Sequence, residues 1–298
     1  MSKSDWLASN DQGLGAGVYD GLSALVAAEA KYDFLWVSSF CLSACQGLPD
    51  VGLLQSQTVC DLIRLISSRV PLPVVVDLET GFGDLVKVHH LAGLVQAAGA
   101  SAIVIEDNDS SKRSSLYDGY SRTLADPVEH ANRVRACRLA VDAGSRSCKV
   151  IARTEALVAG YSVEEAYGRL EQYLDAGADG IFIQSRSSDG IDVIKLLELW
   201  DRRSPVLLSP TCYPKVPVEL LFKSGASHII HANQGLRAAH MALQRVFSAM
   251  RESSRIPDVA TSLSTVAAIA ELVGEPNVRL LENDIRAFSL VKLGPAPL

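Results

Sequence analysis

The chain has 298 residues, of which 48% are hydrophobic and 21% charged, and its formal net charge at pH 7 is −6. This composition excludes disordered, collagen-like and disulfide-rich secreted proteins, and the mild acidity argues against nucleic acid as a partner. No apolar run approaches the roughly 20 residues that cross a bilayer, and the N-terminal segment lacks the apolar centre of a secretory signal. We therefore expect a cytoplasmic protein with reduced cysteines and no membrane partner.

Eight short apolar runs alternate with longer amphipathic segments along the chain. Each run is apolar at nearly every position, which is typical of a strand buried on both faces of a parallel sheet. The runs begin near Gly15, Asp33, Pro73, Ala102, Lys149, Gly180, Pro205 and Ser227. The segments between them repeat apolar residues every three or four positions and predict helices. Eight such units within roughly 250 residues favour a closed (β/α)8 barrel of the TIM type over an open doubly wound sheet.

Two further helical stretches follow the eighth unit, around residues 265–274 and 282–293. No linker rich in Pro, Gly or Ser separates them from the barrel, so residues 1–298 are predicted to form a single domain. Residues from about 255 to 298 are interpreted as a helical C-terminal extension of that domain or as an interface element.

Polar residues collect where the predicted strands end. In a barrel, the loops that leave the carboxyl ends of the strands form the active site. Asp77 and Glu79 follow the third strand, and Glu106 follows the fourth. Carboxylates that converge there repel one another unless a cation compensates, and oxygen ligands of this kind suit Mg2+. The three acids predict a magnesium site; the alternative is that they cap helices or pair with Arg and Lys side chains.

A long polar segment follows the fourth strand, from Glu106 to Arg122. It exceeds a minimal βα turn, and long polar loops beside a barrel mouth are often lids. Lys112 and Arg113 on such a lid are suited to neutralise a phosphoryl or carboxylate group of a substrate. A solvated charged loop is the alternative interpretation.

Several motifs together resemble the phosphoenolpyruvate mutase and isocitrate lyase superfamily. The sequence D-L-E-T-G-F-G-D at residues 77–84 is similar to the metal-site signature of that superfamily. The resemblance continues through K-R-S-S-L-Y-D-G at 112–119, I-A-R-T-E-A-L-V-A-G at 151–160 and P-T-C-Y-P at 210–214. It covers predicted strands two to eight. The segments at 112–119 and 151–160 resemble the phosphonate branch, which comprises phosphoenolpyruvate mutase and phosphonopyruvate hydrolase.

The resemblance implies a barrel whose final helices swap onto a neighbouring subunit, giving a homo-oligomer (a dimer or tetramer). It also implies Mg2+ as cofactor and a small 2-oxo acid or phosphonate as substrate. Asp77 matches the direct metal ligand, and Glu79 and Glu106 match acids that hold the waters of the ion. The positions implied as catalytic are Asp50, Lys112, Ser114 and Arg153. The positions implied as substrate-binding are Trp36, Ser38, Ser39, Phe40, Ser115, Leu116 and Gln184.

Three positions depart from the superfamily pattern and leave the reaction open. Glu79 stands where the signature has Asp, Ser114 where mutases carry Asn, and Gln184 where a His normally ends the sixth strand. The hydroxyl at position 114 resembles hydrolases, whereas the length of the segment at 112–119 resembles mutases. The first hypothesis is therefore a mutase that interconverts phosphoenolpyruvate and phosphonopyruvate, and the second is a phosphonopyruvate hydrolase.

Two further hypotheses rank below these. A C–C bond lyase is disfavoured because residues 112–115 lack the Cys that protonates the enolate in the lyase branch, and a serine hydroxyl is a much weaker acid than a thiol. A barrel that only binds a metabolite is the remaining alternative.

Overall fold

The computed structural model describes residues 6–7, 12–109, 112–115, 117, 122–253 and 263–293. In this part of the chain, eight parallel strands pair in sequence order, and the last pairs with the first to close a barrel. The strands are β1 (Gly13–Val18), β2 (Phe34–Val37), β3 (Val74–Asp77), β4 (Ala102–Glu106), β5 (Lys149–Thr154), β6 (Gly180–Ile183), β7 (Val206–Leu208) and β8 (His228–His231). Each begins within two residues of its predicted start, so the (β/α)8 prediction is confirmed and the open sheet is excluded.

Helices follow the strands. They are α1 (Gly21–Glu29), α2 (Ser39–Cys45), α3 (Ser56–Arg69), α4 (Leu85–Ala98), α5 (Pro127–Ala143), α6 (Val163–Asp175), α7 (Ile191–Trp200), α8 (Val218–Ser224), α9 (Gln234–Glu252), α10 (Val266–Val273) and α11 (Glu275–Leu293). Their ends follow local signals. Asp84 accepts a hydrogen bond from the Lys87 N–H at the start of α4, and Gly99 ends that helix with a φ of 114°. Glycine adopts this left-handed conformation without the strain that a Cβ would cause.

Side chains alternate between the two sides of each strand, and this alternation decides what lies inside the barrel. On β4, Ile103 and Ile105 pack in the large cluster that includes the outer helices, whereas Val104 packs in the smaller interior cluster. The same alternation places Glu106 on the interior row at the carboxyl end of β4. On β5, Arg153 continues the interior row from Ile151. The period of two therefore points charged side chains into the mouth of the barrel.

The inner face of β1 carries glycine, which leaves room for aromatic side chains in the barrel interior. A Cβ on Gly15 would lie 2.3 Å from the Phe34 ring, and one on Gly17 would lie 1.9 Å from the Ala232 carbonyl oxygen. The Phe34 ring lies 5.1 Å from that of Trp6. The interior below the mouth is thus filled with apolar side chains.

The chain divides into two compact units, Met1–Ala238 and Ala239–Leu298. The first contains the barrel, and the second contains most of α9 together with α10 and α11, which contact each other. The second predicted tail helix begins earlier than expected, at Glu275. The assignment of residues 1–298 to a single domain with an extension from about residue 255 stays a prediction.

Two chemical features of the chain bear on its environment. None of the helices in the described ranges combines the length and the hydropathy needed to cross a membrane. All six cysteines are free. The cytoplasmic location itself stays a prediction.

Candidate active site

A pocket lined mainly by polar side chains opens at the carboxyl ends of the barrel strands. The predicted site residues that line it are Trp36, Ser38, Ser39, Phe40, Asp50, Asp77, Lys112, Ser114, Ser115, Arg153 and Gln184. Glu79 and Glu106 are buried next to these residues. Leu116 lies outside the described residues. The structure therefore brings together every predicted site residue that it describes.

One wall of the pocket is the junction between β2 and α2. Ser38 caps α2, and its hydroxyl accepts a hydrogen bond from the Cys41 N–H at 3.3 Å. Ser39 and Phe40 are the first residues of the helix, so their N–H groups have no acceptor within it. The Ser39 hydroxyl donates to Asp77 Oδ2 at 2.9 Å. The junction therefore offers backbone donors to a substrate oxygen, and Asp77 fixes its orientation.

Glu106 is a permanent anion beneath the pocket. Lys112 Nζ lies 3.2 Å from Glu106 Oε1, and Arg153 Nη2 lies 3.5 Å from Oε2. Burial alone raises the pKa of the Glu106 carboxyl, but the charges of Lys112 and Arg153 outweigh burial and lower it to about 2. Arg153 Nη1 also lies 3.6 Å from Asp77 Oδ2. The alternative considered from the sequence, that these acids pair with basic side chains, therefore holds for Asp77 and Glu106.

Glu79 occupies a strained position in the turn after β3. Its φ of 51° lies in the left-handed region, which costs a residue other than glycine on the order of 1–3 kcal/mol. The Glu79 N–H donates to Asp77 Oδ1 at 3.0 Å, and the Glu79 carbonyl accepts from the Glu106 N–H at 2.8 Å. Burial, reinforced by neighbouring carboxylates and opposed by Lys112, raises the pKa of Glu79 to about 8. The turn therefore holds a carboxyl group that is readily neutralised.

The donor set of the pocket fits a divalent cation. Glu79 Oε1 and Asp50 Oδ1 are buried and have no hydrogen-bond partner among the described residues. A buried carboxylate oxygen without a partner is costly, and a hard cation satisfies several such oxygens at once. Across the described ranges, no three His, Cys, Asp or Glu side chains are spaced as a complete metal-ligand set. The assignment of Asp77, Glu79 and Glu106 to Mg2+ thus stays a prediction that the donor chemistry fits.

The polar segment after β4 turns inward over the pocket. We call its described residues, 112–115 and 117, the cover segment. Lys112, Ser114 and Ser115 are 5%, 8% and 7% exposed, so their side chains are not solvated. Ser114 lines the pocket together with Asp50 and lowers the pKa of the Asp50 carboxyl, which burial raises. These contacts favour the lid interpretation over that of a solvated loop.

Glu155 is a site residue to which the sequence analysis gave no role. It is fully buried, and its Oε1 accepts a hydrogen bond from Arg153 Nε at 2.7 Å. Its Oε2 accepts from the Ser115 hydroxyl at 2.7 Å, and Ser115 Oγ in turn accepts from Arg153 Nη2 at 2.9 Å. Glu155 therefore ties Arg153 to the cover segment. The available signal was the Arg-x-Glu spacing at the end of β5, which places both side chains on one side of the strand.

Asp107 holds the end of β5 from behind the pocket. Its carboxylate accepts hydrogen bonds from Thr154 Oγ1 at 2.7 Å, the Glu155 N–H at 2.8 Å and the Tyr173 hydroxyl at 2.8 Å. Arg169 Nη1 lies 3.5 Å away. A buried anion with this number of donors fixes the backbone at Glu155, and therefore the position from which Glu155 orients Arg153.

Neutral polar side chains complete the lining. Gln184 and Asn233 both face the pocket, and the side-chain oxygen of each is buried without a hydrogen-bond partner among the described residues. Ser209 and Thr211, to which the sequence analysis also gave no role, follow β7 and place their hydroxyls 3.2 Å apart. None of these groups ionises near neutral pH, so this part of the lining binds by hydrogen bonds alone.

Comparison with known proteins connects this pocket to one family. Residues 10–251 match the family model described as phosphoenolpyruvate phosphomutase. The chain is 35% identical over 265 residues to a phosphonopyruvate hydrolase of Variovorax sp. (strain Pal2), with 89% of this chain and 91% of the relative covered. The solved structure of a phosphoenolpyruvate phosphomutase from Streptomyces platensis subsp. rosaceus superposes with a TM-score of 0.87 at 33% identity, covering 92% of this chain and 94% of that one. A phosphonopyruvate hydrolase solved with oxalate and Mg2+ gives a TM-score of 0.86 at 33% identity, covering 95% and 99%.

Proposed function

The chain belongs to the phosphoenolpyruvate phosphomutase family, and we propose that it interconverts phosphoenolpyruvate and phosphonopyruvate. The observation that carries this proposal is the placement of two buried basic side chains, Lys112 and Arg153, in one confined pocket. Burial lowers the pKa of each group, but the neighbouring carboxylates raise it by more than burial lowers it, so both groups stay protonated. Two fixed positive charges suit a substrate that carries both a carboxylate and a phosphonate.

Binding of the oxo acid is assigned to the β2–α2 junction and Arg153. The backbone N–H groups of Ser39 and Phe40 would receive one end of the substrate, and the Arg153 guanidinium, which Glu155 holds, would receive the other. Asp77, Glu79 and Glu106 would hold Mg2+, a cofactor that the oxalate complex of the related hydrolase contains. When bound, Mg2+ supplies positive charge beside the oxo oxygen of the substrate.

The reaction then needs little covalent chemistry from the protein. When the P–C bond of phosphonopyruvate breaks, its electron pair stays on carbon and gives the enolate of pyruvate. The released phosphoryl group passes to the enolate oxygen and forms phosphoenolpyruvate. Such loose transfers are accelerated by positioning and by positive charge, which Lys112 and Arg153 provide. The cover segment excludes water, which would otherwise capture the phosphoryl group.

A second candidate is hydrolysis of phosphonopyruvate to pyruvate and phosphate. The observation that favours it is that Ser114 and Asp50 line the same pocket and that Ser114 lowers the pKa of the Asp50 carboxyl, which burial raises. The Ser114 hydroxyl is suited to orient a water molecule, and the carboxylate, whose pKa is raised, is suited to accept the proton of that water. A C–C lyase gains no comparable support, because the cover segment offers hydroxyl groups rather than a thiol.

Phosphorus NMR of the protein with phosphonopyruvate and Mg2+ separates these activities. A phosphoenolpyruvate resonance supports the mutase, and inorganic phosphate supports the hydrolase. An unchanged spectrum contradicts both. The Ser114→Ala variant should alter the product ratio if that hydroxyl places water, whereas Ser68→Ala, an exposed hydroxyl on α3, should not.

We also propose that the chain forms a homo-oligomer, a dimer or tetramer, through its second unit. Val266 is 85% exposed and Phe247 is 65% exposed. Further large apolar side chains exposed on α9, α10 and α11 are Met241, Leu243, Ile269, Val278 and Leu281. Apolar side chains exposed on consecutive helices are typical of an interaction surface. Light scattering on the purified protein tests the proposal, and a monomer at micromolar concentration would contradict it.

A further inference from the structure

The cover segment is held by a basic side chain that does not line the pocket. Arg122 Nη2 donates to the Ser114 carbonyl oxygen at 2.8 Å and to the Tyr117 carbonyl oxygen at 3.1 Å. Both carbonyls belong to the cover segment, on either side of Ser115. A guanidinium that donates to two carbonyls restrains the two residues that carry them, because hydrogen bonds from a charged donor are stronger than neutral ones.

The hydrogen bonds from Arg122 to the backbone involve a segment from which side chains reach the pocket. Ser114, whose carbonyl binds Arg122, is itself buried and lines the pocket. The next residue, Ser115, carries the hydroxyl that meets Glu155. The backbone contacts of Arg122 and the side-chain contacts within the pocket therefore act on the same segment from different sides.

We propose that Arg122 is a positioning residue that keeps the cover segment closed and so raises the affinity of the pocket for its ligand. Only the covered arrangement brings Lys112, Ser114 and Ser115 to the pocket, so the apparent dissociation constant rises in proportion as the covered fraction falls. The proposal rests on the proposed function only for the kind of ligand that the pocket binds. Opening of the backbone is a separate observable that does not depend on that function.

The test uses the full chain with Arg122→Gln, Arg122→Lys and a matched control, Arg202→Gln. Arg202 Nη2 also donates to two carbonyls, those of Phe222 and Lys223, at 3.0 and 3.2 Å, but it precedes β7 and lies outside the pocket lining. Oxalate with Mg2+ is the probe for calorimetric titration, and hydrogen exchange followed by mass spectrometry reports opening of the peptide that contains Ser115 and Tyr117.

Arg122→Gln should accelerate exchange in that peptide about tenfold, the effect expected for losing hydrogen bonds from a charged donor. The oxalate dissociation constant should rise by the factor by which the covered fraction falls. Arg122→Lys should restore part of both, and Arg202→Gln should change neither. Unchanged affinity and exchange in Arg122→Gln, or equal changes in Arg202→Gln, overturn the proposal. If Arg122→Gln does not fold, the exchange rate of Arg122→Lys decides. Should the wild type show no phosphonate turnover, the proposed function fails while the exchange comparison still decides the role of Arg122.

Discussion

Replacement of Glu155 by Gln tests whether the buried carboxylate organises the pocket. The substitution keeps the shape of the side chain but removes its charge. The carboxylate accepts from Arg153 Nε and from the Ser115 hydroxyl through different oxygens, each at 2.7 Å. A glutamine has one acceptor oxygen, so it can serve one of these donors and presents an N–H group to the other.

The size of the effect follows from those contacts. A hydrogen bond to a charged partner contributes about 1.5–3 kcal/mol, and a buried donor left without an acceptor costs about 1–3 kcal/mol. Because about 1.4 kcal/mol corresponds to a tenfold change in rate, the two contributions together lead us to expect kcat/KM to fall by roughly 10²–10⁴. The fall should come mainly from misplacement of Arg153, since its guanidinium keeps only the more distant Asp77 and Glu106 carboxylates.

Steady-state kinetics with phosphonopyruvate measure the effect, and urea denaturation measures the loss of stability. Glu171→Gln is the matched control, because Glu171 also binds an arginine, Arg203, and both side chains of that pair are exposed. A pair at the surface contributes about 0–1 kcal/mol, so the control should keep its activity. If Glu155→Gln retains kcat/KM within a factor of about two, Glu155 does not organise the pocket.

Three other outcomes follow from the structure. Arg153→Ala should abolish turnover. Arg153→Lys should lower kcat/KM more than about 100-fold, because lysine lacks the planar guanidinium that reaches Glu155 and the substrate together. Turnover by Arg153→Ala equal to that of wild type, measured by phosphorus NMR, would refute the anion-binding role. The free energy of unfolding of the metal-free protein should fall by up to about 4 kcal/mol as the pH rises from 5 to 8. The reason is that the pKa of Glu79 is about 8 in the folded protein, so the folded state keeps a proton that the unfolded chain has already released. The free energy of unfolding of Glu79→Gln should depend less on pH. The same pH dependence in Glu79→Gln and wild type would contradict the raised pKa of Glu79. Asp107→Asn should lower the free energy of unfolding by about 3 kcal/mol, since it leaves the Arg169 charge and three donors around a neutral amide; urea denaturation checks this value.

The sequence was sufficient to predict the barrel and the side of each strand on which the site residues lie. Strand positions were predictable because parallel strands covered on both faces are apolar throughout, and this pattern is local. The placement of Asp77, Glu106 and Arg153 followed from their positions at the ends of such strands, and the resemblance to related sequences identified Asp50 and Lys112. The helix α2 immediately after β2 was not predicted, since a run as short as Ser39–Cys45 gives little periodicity.

The pairing of charges could be decided only by the tertiary structure. That Arg153 is bound by Ser115 and lies beside Asp77 and Glu106 depends on contacts between segments far apart in the chain. The same holds for the hydrogen bond from Tyr173 to Asp107. The sequence determined which residues reach the mouth of the barrel, because strand geometry repeats every two residues. It did not determine which of them touch, because buried charges select their partners by distances of a few tenths of an ångström that no local pattern encodes.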